Sequence, residues 1–344
     1  MPANNLSHQI ECLNNRYVIV GHGLAGAVLA HTMIERGQDA IVLEANMPHS
    51  ATRVSAGLIN PFIGPKLNIP EDFSACMSAN QHFFKNFERK VGRNFLESIE
   101  LYRVLQSLNQ KRKWNDLSHE YKKGYLSKEE ALKFGIISEF GVGITASWKL
   151  NSSNFINCSR EVLRSNGNYL EEGFDPEKWR NHQVIFCEGF RVNSNKWFMN
   201  LPLSPAQGEV LTVNSNYRVN ASNGTWHLAE KGTSLAKIGS TWKHENLESG
   251  PTCSARQEIL NKLEFLPDLK NSPVVLHESG VRSSTRDRHP LIGLHSEMQN
   301  YYLFNGFGSR GCTTIPLCAK ELTDFIIDGA NLPRNKNLHR FPSN

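Results

Sequence analysis

The chain has 344 residues, enough for two domains or for one large α/β unit with an inserted lobe. With 39% apolar and 21% charged residues it has ordinary globular composition, which excludes disordered and fibrous classes. No apolar run approaches the roughly 18 residues of a membrane span. The formal charge of +5 admits an anionic ligand or an RNA partner but falls well short of a dedicated nucleic-acid binder.

Met1 to Asn15 is polar, lacks the apolar core of a secretory signal and reads as a loose tail. The first clear element is Arg16–Val20, a short β-branched run. It leads into Gly21-His22-Gly23-Leu24-Ala25-Gly26, then a helix over Leu24–Arg36 stopped by Gly37, then an apolar strand, Ala40–Leu43, ending in Glu44. Glu71–Leu105 is mostly helical in pattern, with Phe73, Met77, Phe83, Phe84 and Phe87 at core-packing spacing. Lys111-Arg112-Lys113 and Lys122-Lys123 are short basic clusters of the kind usual on a solvated face. Phe140–Lys149 reads as a strand, Asn154–Arg164 as a helix, and Gln183–Cys187 as a buried strand ending in Glu188-Gly189. Between Gly208 and Lys243, strand-like runs are separated by turn signals at Ser222-Asn223-Gly224 and Lys231-Gly232, which predicts antiparallel sheet. Tyr301–Phe304 is a last strand, followed by a glycine-rich turn, Gly306–Gly311, and a helix from Cys312 to about Ile327. The seven cysteines, Cys12, Cys76, Cys158, Cys187, Cys253, Cys312 and Cys318, are odd in number, scattered and free of C-x-x-C. They read as reduced thiols in a cytoplasmic protein, without structural zinc.

The hexad at 21–26 sits where a dinucleotide turn works, after a strand and at the opening of a helix. Gly21 allows the tight turn, Gly23 lets backbone approach a pyrophosphate, and Gly26 lets the helix pack on the sheet. The helix N-terminus offers free N–H groups and partial positive charge to the phosphates. Glu44, 18 residues beyond Gly26, is placed to accept ribose hydroxyls and to repel a 2′-phosphate, which disfavours NADP. Spacing alone leaves NAD and FAD open.

Ser50-Ala51-Thr52-Arg53-Val54-Ser55-Ala56-Gly57-Leu58-Ile59-Asn60-Pro61 resembles the segment by which FAD-dependent oxidases of the D-amino-acid oxidase superfamily pass along the pyrophosphate and flavin. Gly280-Val281-Arg282-Ser283-Ser284-Thr285-Arg286-Asp287-Arg288-His289-Pro290-Leu291-Ile292-Gly293 resembles the same superfamily's late G-[LV]-R…D-x-x-P-x-[IV]-G motif. With Gly306-Phe307-Gly308-Ser309-Arg310-Gly311 and the run Cys312–Leu322, it looks most like the FAD oxidase domain of the bifunctional tRNA 5-methylaminomethyl-2-thiouridine biosynthesis proteins. The resemblance is specific over 16–65 and 280–324, and thin between them apart from Leu201–Val210 and Ala236–Lys243. The superfamily's usual A-T-G-like strand end is here Cys187-Glu188-Gly189.

The resemblance implies an α/β (α+β overall) fold: a Rossmann-like FAD-binding domain assembled from 14–75, 150–200 and 280–330, and a mostly antiparallel-sheet substrate or cap domain from 76–149 and 201–279, with tails at 1–13 and 331–344. It implies non-covalent FAD, since no thiol stands in Glu278–Val281. The cofactor is expected against Gly21, His22, Gly23, Leu24, Ala25, Gly26, Glu44, Ala45, Thr52, Arg53, Ser55, Ala56, Gly57, Gly189, Gly308, Ser309, Arg310, Gly311 and Cys312. Arg282 is expected to grip a substrate carboxylate, Arg310 to add charge near the flavin or join the substrate site, and Lys237 to face the ring. The implied reaction is oxidation of a glycine-like secondary amine or amino acid. The substrate is a free amine or amino acid (glycine, sarcosine, proline or a D-amino acid) or the carboxymethylaminomethyl group of a modified tRNA uridine; a non-catalytic flavin-binding subunit is the alternative. No membrane partner is expected, and the oligomeric state is open.

Overall fold

A computed structural model describes residues 16–45, 50–64 and 66–341, so the expectations for Met1–Asn15 and Cys12 lie outside the described residues. The strands are β1 Tyr17–Val20, β2 Ala40–Leu43, β3 Leu58–Ile59, β4 Leu96–Val104, β5 Gly124–Leu126, β6 Val142–Leu150, β7 Tyr169–Leu170 and β8 Gln183–Phe186. They continue with β9 Ala206–Asn214, β10 Asn220–Ser222, β11 Trp226–Ala229, β12 Leu235–Gly239, β13 Val274–Arg282, β14 Leu291–Leu294 and β15 Tyr301–Asn305. The helices are α1 Leu24–Glu35, α2 Ala51–Val54, α3 Phe73–Val91, α4 Leu108–Asp116, α5 Lys128–Leu132, α6 Ser152–Ser165, α7 Cys253–Asn261 and α8 Gly311–Asp328.

Two sheets organise the molecule. The first has six strands in the order β14-β15-β8-β1-β2-β7, parallel except for the β14–β15 pair. Its central strands are near-continuous apolar runs, as a sheet covered on both faces requires; Val18, Ile19, Val42, Ile185 and Phe186 are fully buried. The second has nine strands, running β13-β9-β12-β11-β10-β4-β6-β3 with β5 also on β6, and is mostly antiparallel. Leu58–Ile59 belongs to this second sheet through β6.

The phenylalanines of α3 pack as their spacing predicts. Phe83, Phe84 and Phe87 meet Phe155 of α6 at ring-centroid distances of 6.0, 5.2 and 5.1 Å. Each such ring, fully buried, contributes about 1.5–3 kcal/mol. The helical reading of Glu71–Leu105 holds only to Val91. Gly92 (φ 66°) caps α3 in the left-handed region, its N–H bonded to Glu88 O at 2.8 Å. Glu88 Oε1 then takes the N–H groups of Phe95 and Leu96, and the chain enters β4, paired residue for residue with β6. Nine-residue pairing outweighs helix propensity here. Residues 331–341, read from the sequence as a tail, lie against the first sheet. Lys336 is buried, its Nζ bonded to Glu321 Oε1 at 2.9 Å, and Ile292 N–H donates to Lys336 O at 3.0 Å.

Candidate active site

Strands β8, β1 and β2 end level with one another, Val20 standing beside both Leu43 and Phe186. The turn after β1 is therefore flanked by Glu44 on one side and Cys187-Glu188 on the other. Gly21 (φ 101°) needs the left-handed conformation, and a Cβ there would lie 2.8 Å from Cys187 O. A Cβ on Gly26 would overlap the Gly21 carbonyl, so α1 seats on β1 only through this glycine. Gly23 is the N-cap of α1 and has no side chain to cap it; Leu24 N–H donates instead to Thr52 Oγ1 at 3.0 Å, and His22 N–H to Glu44 Oε2 at 2.6 Å.

A cavity of about 860 Å³ opens from this turn. Along it lie Gly21, His22, Gly23, Leu24, Ala25, Glu44, Ala45, Thr52, Ser55, Ala56, Gly57, Gly189, Gly308, Ser309, Gly311, Cys312 and Arg282. Segments remote in sequence thus meet on one wall. The tip of α8, preceded by the 3-10 turn Gly308–Arg310, faces the same space as the tip of α1, and no side chain caps it. Gly308 N–H is held by Ser283 O at 2.8 Å. The second sheet supplies the floor through Gly208, Val210, Trp226 and Gly280.

Arg282 ends β13 on that floor. Its Nη2 donates to Ser240 Oγ at 2.7 Å and its Nη1 to Thr241 O at 3.3 Å, and its guanidinium lies 4.8 Å from the Trp242 ring centroid. These partners are all neutral. Burial lowers its pKa to about 10, so it remains a cation at neutral pH. Gly208, opposite Gly280 in the β9–β13 ladder, makes its seat: a Cβ on Gly208 would fall on the guanidinium itself.

Other sequence-predicted residues stand off the cavity wall. Gly26 is buried beneath the turn. Arg53 turns outward on α2, while its carbonyl accepts Ser153 Oγ–H at 3.0 Å. Lys237 lies on the same sheet face as Trp226 but sends Nζ to Ser55 O, 3.5 Å away, behind the wall that Ser55–Gly57 forms. Arg310 turns away into the field of Cys76, Asp72 and Cys318. There burial lowers its pKa and its Nη2 has no hydrogen-bond partner among the described residues; it does not line the cavity.

Behind the turn, His22 and His31 share one hydroxyl, their Nε2 atoms lying 3.1 and 2.9 Å from Ser159 Oγ. Burial lowers both pKa values to about 3. A single hydroxyl can donate to one imidazole while accepting from the other, so both stay neutral.

The donor set suits a flavin dinucleotide. Two helix N-termini and backbone N–H groups fit anionic oxygens, Glu44 fits hydroxyl donors, and the small residues Ser55–Gly57 leave room for a ring. This geometry suits a dinucleotide-binding protein, with the floor of the cavity contributed by a separate sheet. The chain belongs to the FAD dependent oxidoreductase family of D-amino-acid oxidase type, whose profile matches residues 16–325. It is therefore an FAD-dependent oxidoreductase. It is 23% identical over 366 residues to the tRNA 5-methylaminomethyl-2-thiouridine biosynthesis bifunctional protein MnmC of Legionella pneumophila, aligning 90% of this chain and 54% of that one. The chain thus spans about half of that relative. In fold it is similar to iminodiacetate oxidase from Chelativorans sp. BNC1 (TM-score 0.76, 15% identity, covering 93% of this chain and 98% of that one). It is also similar to glycine oxidase from Bacillus cereus ATCC 14579 (TM-score 0.75, 19% identity, 92% and 96%).

Sequence reasoning missed Gly208, Ser240, Thr241 and Trp242, which together build the seat of Arg282. Leu201–Val210 and Ala236–Lys243 matched the superfamily, but neither stretch says that β9 and the segment after β12 converge on one guanidinium. Among the described residues no helix is long and apolar enough to cross a membrane.

Proposed function

We propose that this enzyme oxidises the C–N bond of a small amine bearing a carboxylate, of the glycine or N-substituted glycine kind. One observation carries the reading: Arg282 is a partly buried cation on the cavity wall whose partners among the described residues are a hydroxyl, a carbonyl and an aromatic face. A buried guanidinium without an anion is costly, and a substrate carboxylate accepting two parallel N–H bonds supplies the missing charge. FAD, when bound, supplies the acceptor for the hydride leaving the carbon next to nitrogen. The residues of this chain hold and orient. Arg282 fixes the carboxylate end, Trp226 and Val210 form the apolar floor, and the α8 tip offers N–H groups to negative charge that develops on the cofactor. No side chain on the wall stands out as a general base, so the reading takes the amine already neutral. Arg310 and Lys237 serve this scheme at most as background charge.

Iminodiacetate and glycine, named for two proteins of the same fold, are substrates of this chemical kind. A second reading rests on the match to MnmC, in which the amine is carried by a modified tRNA uridine. The basic clusters do not add to it: Lys113 Nζ is bonded to Asn68, Lys122 Nζ to Asn115 O, and none lines the cavity. Anaerobic bleaching of the bound flavin tests both. Glycine, sarcosine, iminodiacetate, D-alanine, proline and a tRNA carrying carboxymethylaminomethyl-uridine are compared as reductants. Reduction by a free carboxylated amine, lost in Arg282→Gln, is the expected result. Reduction by the tRNA alone would establish the second reading, and reduction by none of them would exclude both.

A further inference from the structure

Three carboxylates line the cavity near the glycine-rich turn: Glu44 at the end of β2, Glu188 beyond β8 and Glu172 beyond β7. Two are answered. Glu172 pairs with Lys178 Nζ at 2.6 Å, and Glu44 receives His22 N–H at 2.6 Å. Glu188 is met by an amide: Asn195 Nδ2 donates to its Oε2 at 2.7 Å. It stands where the superfamily pattern has a threonine-like residue. Its backbone also abuts the turn, since a Cβ on Gly21 would lie 3.5 Å from Glu188 Cα. Burial raises its pKa, and no neighbouring charge offsets that.

The ionisable groups around it leave the carboxyl uncompensated. On its own segment, burial holds the Cys187 thiol protonated, Arg191 is paired with Glu248, and Lys196 lies over the Trp197 ring. From the turn, His22 is neutral. Arg53 of α2 and Arg160 and Arg164 of α6 act on His22, and Arg164 is paired with Glu171. From α8, the Cys312 thiol is held protonated by burial.

We infer that Glu188 meets the flavin dinucleotide as a neutral carboxyl, so that each FAD bound draws one proton from solvent onto this side chain; the inference rests on the flavin-enzyme reading above. A pyrophosphate entering the cavity brings negative charge and displaces water, and both disfavour a second anion there. The protonated carboxyl can instead donate its O–H to an acceptor oxygen of the dinucleotide while Oε2 keeps the Asn195 bond. The proton comes from the buffer and forms the O–H bond; nothing is oxidised.

The test uses the full chain stripped of flavin and titrated with FAD from about pH 5.5 to 8. Binding is followed by flavin fluorescence and by calorimetry in two buffers of different ionisation heat. His22 and His31, with pKa values of about 3, do not titrate in this range. The wild type should take up close to one proton per FAD between the free and bound pKa values of the carboxyl. Its Kd should rise there by up to tenfold per pH unit. Glu188→Gln, which is neutral at every pH, should bind FAD with a nearly flat Kd. Flavin binding without proton uptake, or an unchanged pH dependence in Glu188→Gln, overturns the inference and leaves the flavin reading intact. If the variant does not fold, the wild-type proton count decides. A wild type that binds no FAD overturns both.

Discussion

Gly208 allows the Arg282 site to be tested without altering its charge. In Gly208→Ala the new methyl falls on the guanidinium, in the space of Cζ, Nη1 and Nη2. Arg282 must swing off its seat, losing the 2.7 Å bond to Ser240 and the Trp242 face. A hydrogen bond to a charged group is worth about 1.5–3 kcal/mol and a partly exposed cation–π contact about 0.5–1 kcal/mol. Those contacts, about 2–4 kcal/mol together, are lost from the fold; the displaced guanidinium also loses its charge-assisted bond to the carboxylate, about 1.5–3 kcal/mol or roughly 10- to 150-fold in affinity. The backbone tolerates the change, because Gly208 is in regular β9 and not among the positive-φ glycines, and alanine there restricts the unfolded chain. The variant should therefore keep its fold and its flavin, with Tm lowered only by the lost Arg282 contacts. The assay is KM for whichever amine bleaches the flavin, with the Kd of an unreactive carboxylate, read from the perturbed flavin spectrum, as a second measure. Carboxylate affinity within about threefold of wild type, in a protein with full flavin content, would refute the assignment.

Gly26→Ala should behave oppositely. Its Cβ overlaps the Gly21 carbonyl, so α1 must lift from β1; stability should fall by about 1–3 kcal/mol or more and flavin content should drop, as followed by urea unfolding and the visible spectrum. Stability should also decline with acid. His22 and His31, whose pKa values burial lowers to about 3, are neutral in the fold, whereas in the unfolded chain they titrate near 6.5. Their contribution is complete above about pH 6.5. It is lost as pH falls toward about 3, because the unfolded state binds the protons first. Between pH 7 and pH 5 the two together should cost about 4 kcal/mol in urea unfolding free energy, and a non-titrating residue at His31 should roughly halve the drop. Finally, acid- or detergent-denatured protein should release its flavin entirely into the filtrate; yellow colour retained on the polypeptide would contradict non-covalent binding.

The parts of this molecule legible in the sequence are those fixed by short-range geometry. Gly21, Gly23 and Gly26 announce a turn because each is needed within one strand-turn-helix unit. The short runs on either side of that unit read as strands because they are β-branched or apolar and end at turn residues. The α8 tip is legible for the same reason, as glycines directly ahead of an apolar helix. What depends on distant strands meeting is not legible. β4 carries a helix-compatible pattern, and only its nine-residue pairing with β6 makes it a strand. The Arg282 seat requires β9, β13 and the segment after β12 to converge, and nothing local to Gly208 says that its missing side chain is another residue's space. Arg310 shows the same limit: its backbone stands at the α8 tip, yet its side chain is set among Asp72, Cys76 and Cys318, off the cavity wall.

The placement of β15 beside β8, with α8 running on from it, carries a consequence for biosynthesis. One of the two helix tips on the cavity, and the arginine proposed to grip a carboxylate, come from residues beyond 280, while the first turn is made from residues near 20. A nascent chain can form the β1-α1-β2 unit early, yet it cannot retain cofactor until translation has delivered β13 through α8. Flavin capture is therefore a late event that reports on a completed polypeptide, and ribosome-stalled or prematurely terminated products lacking that last stretch should emerge colourless and easily degraded.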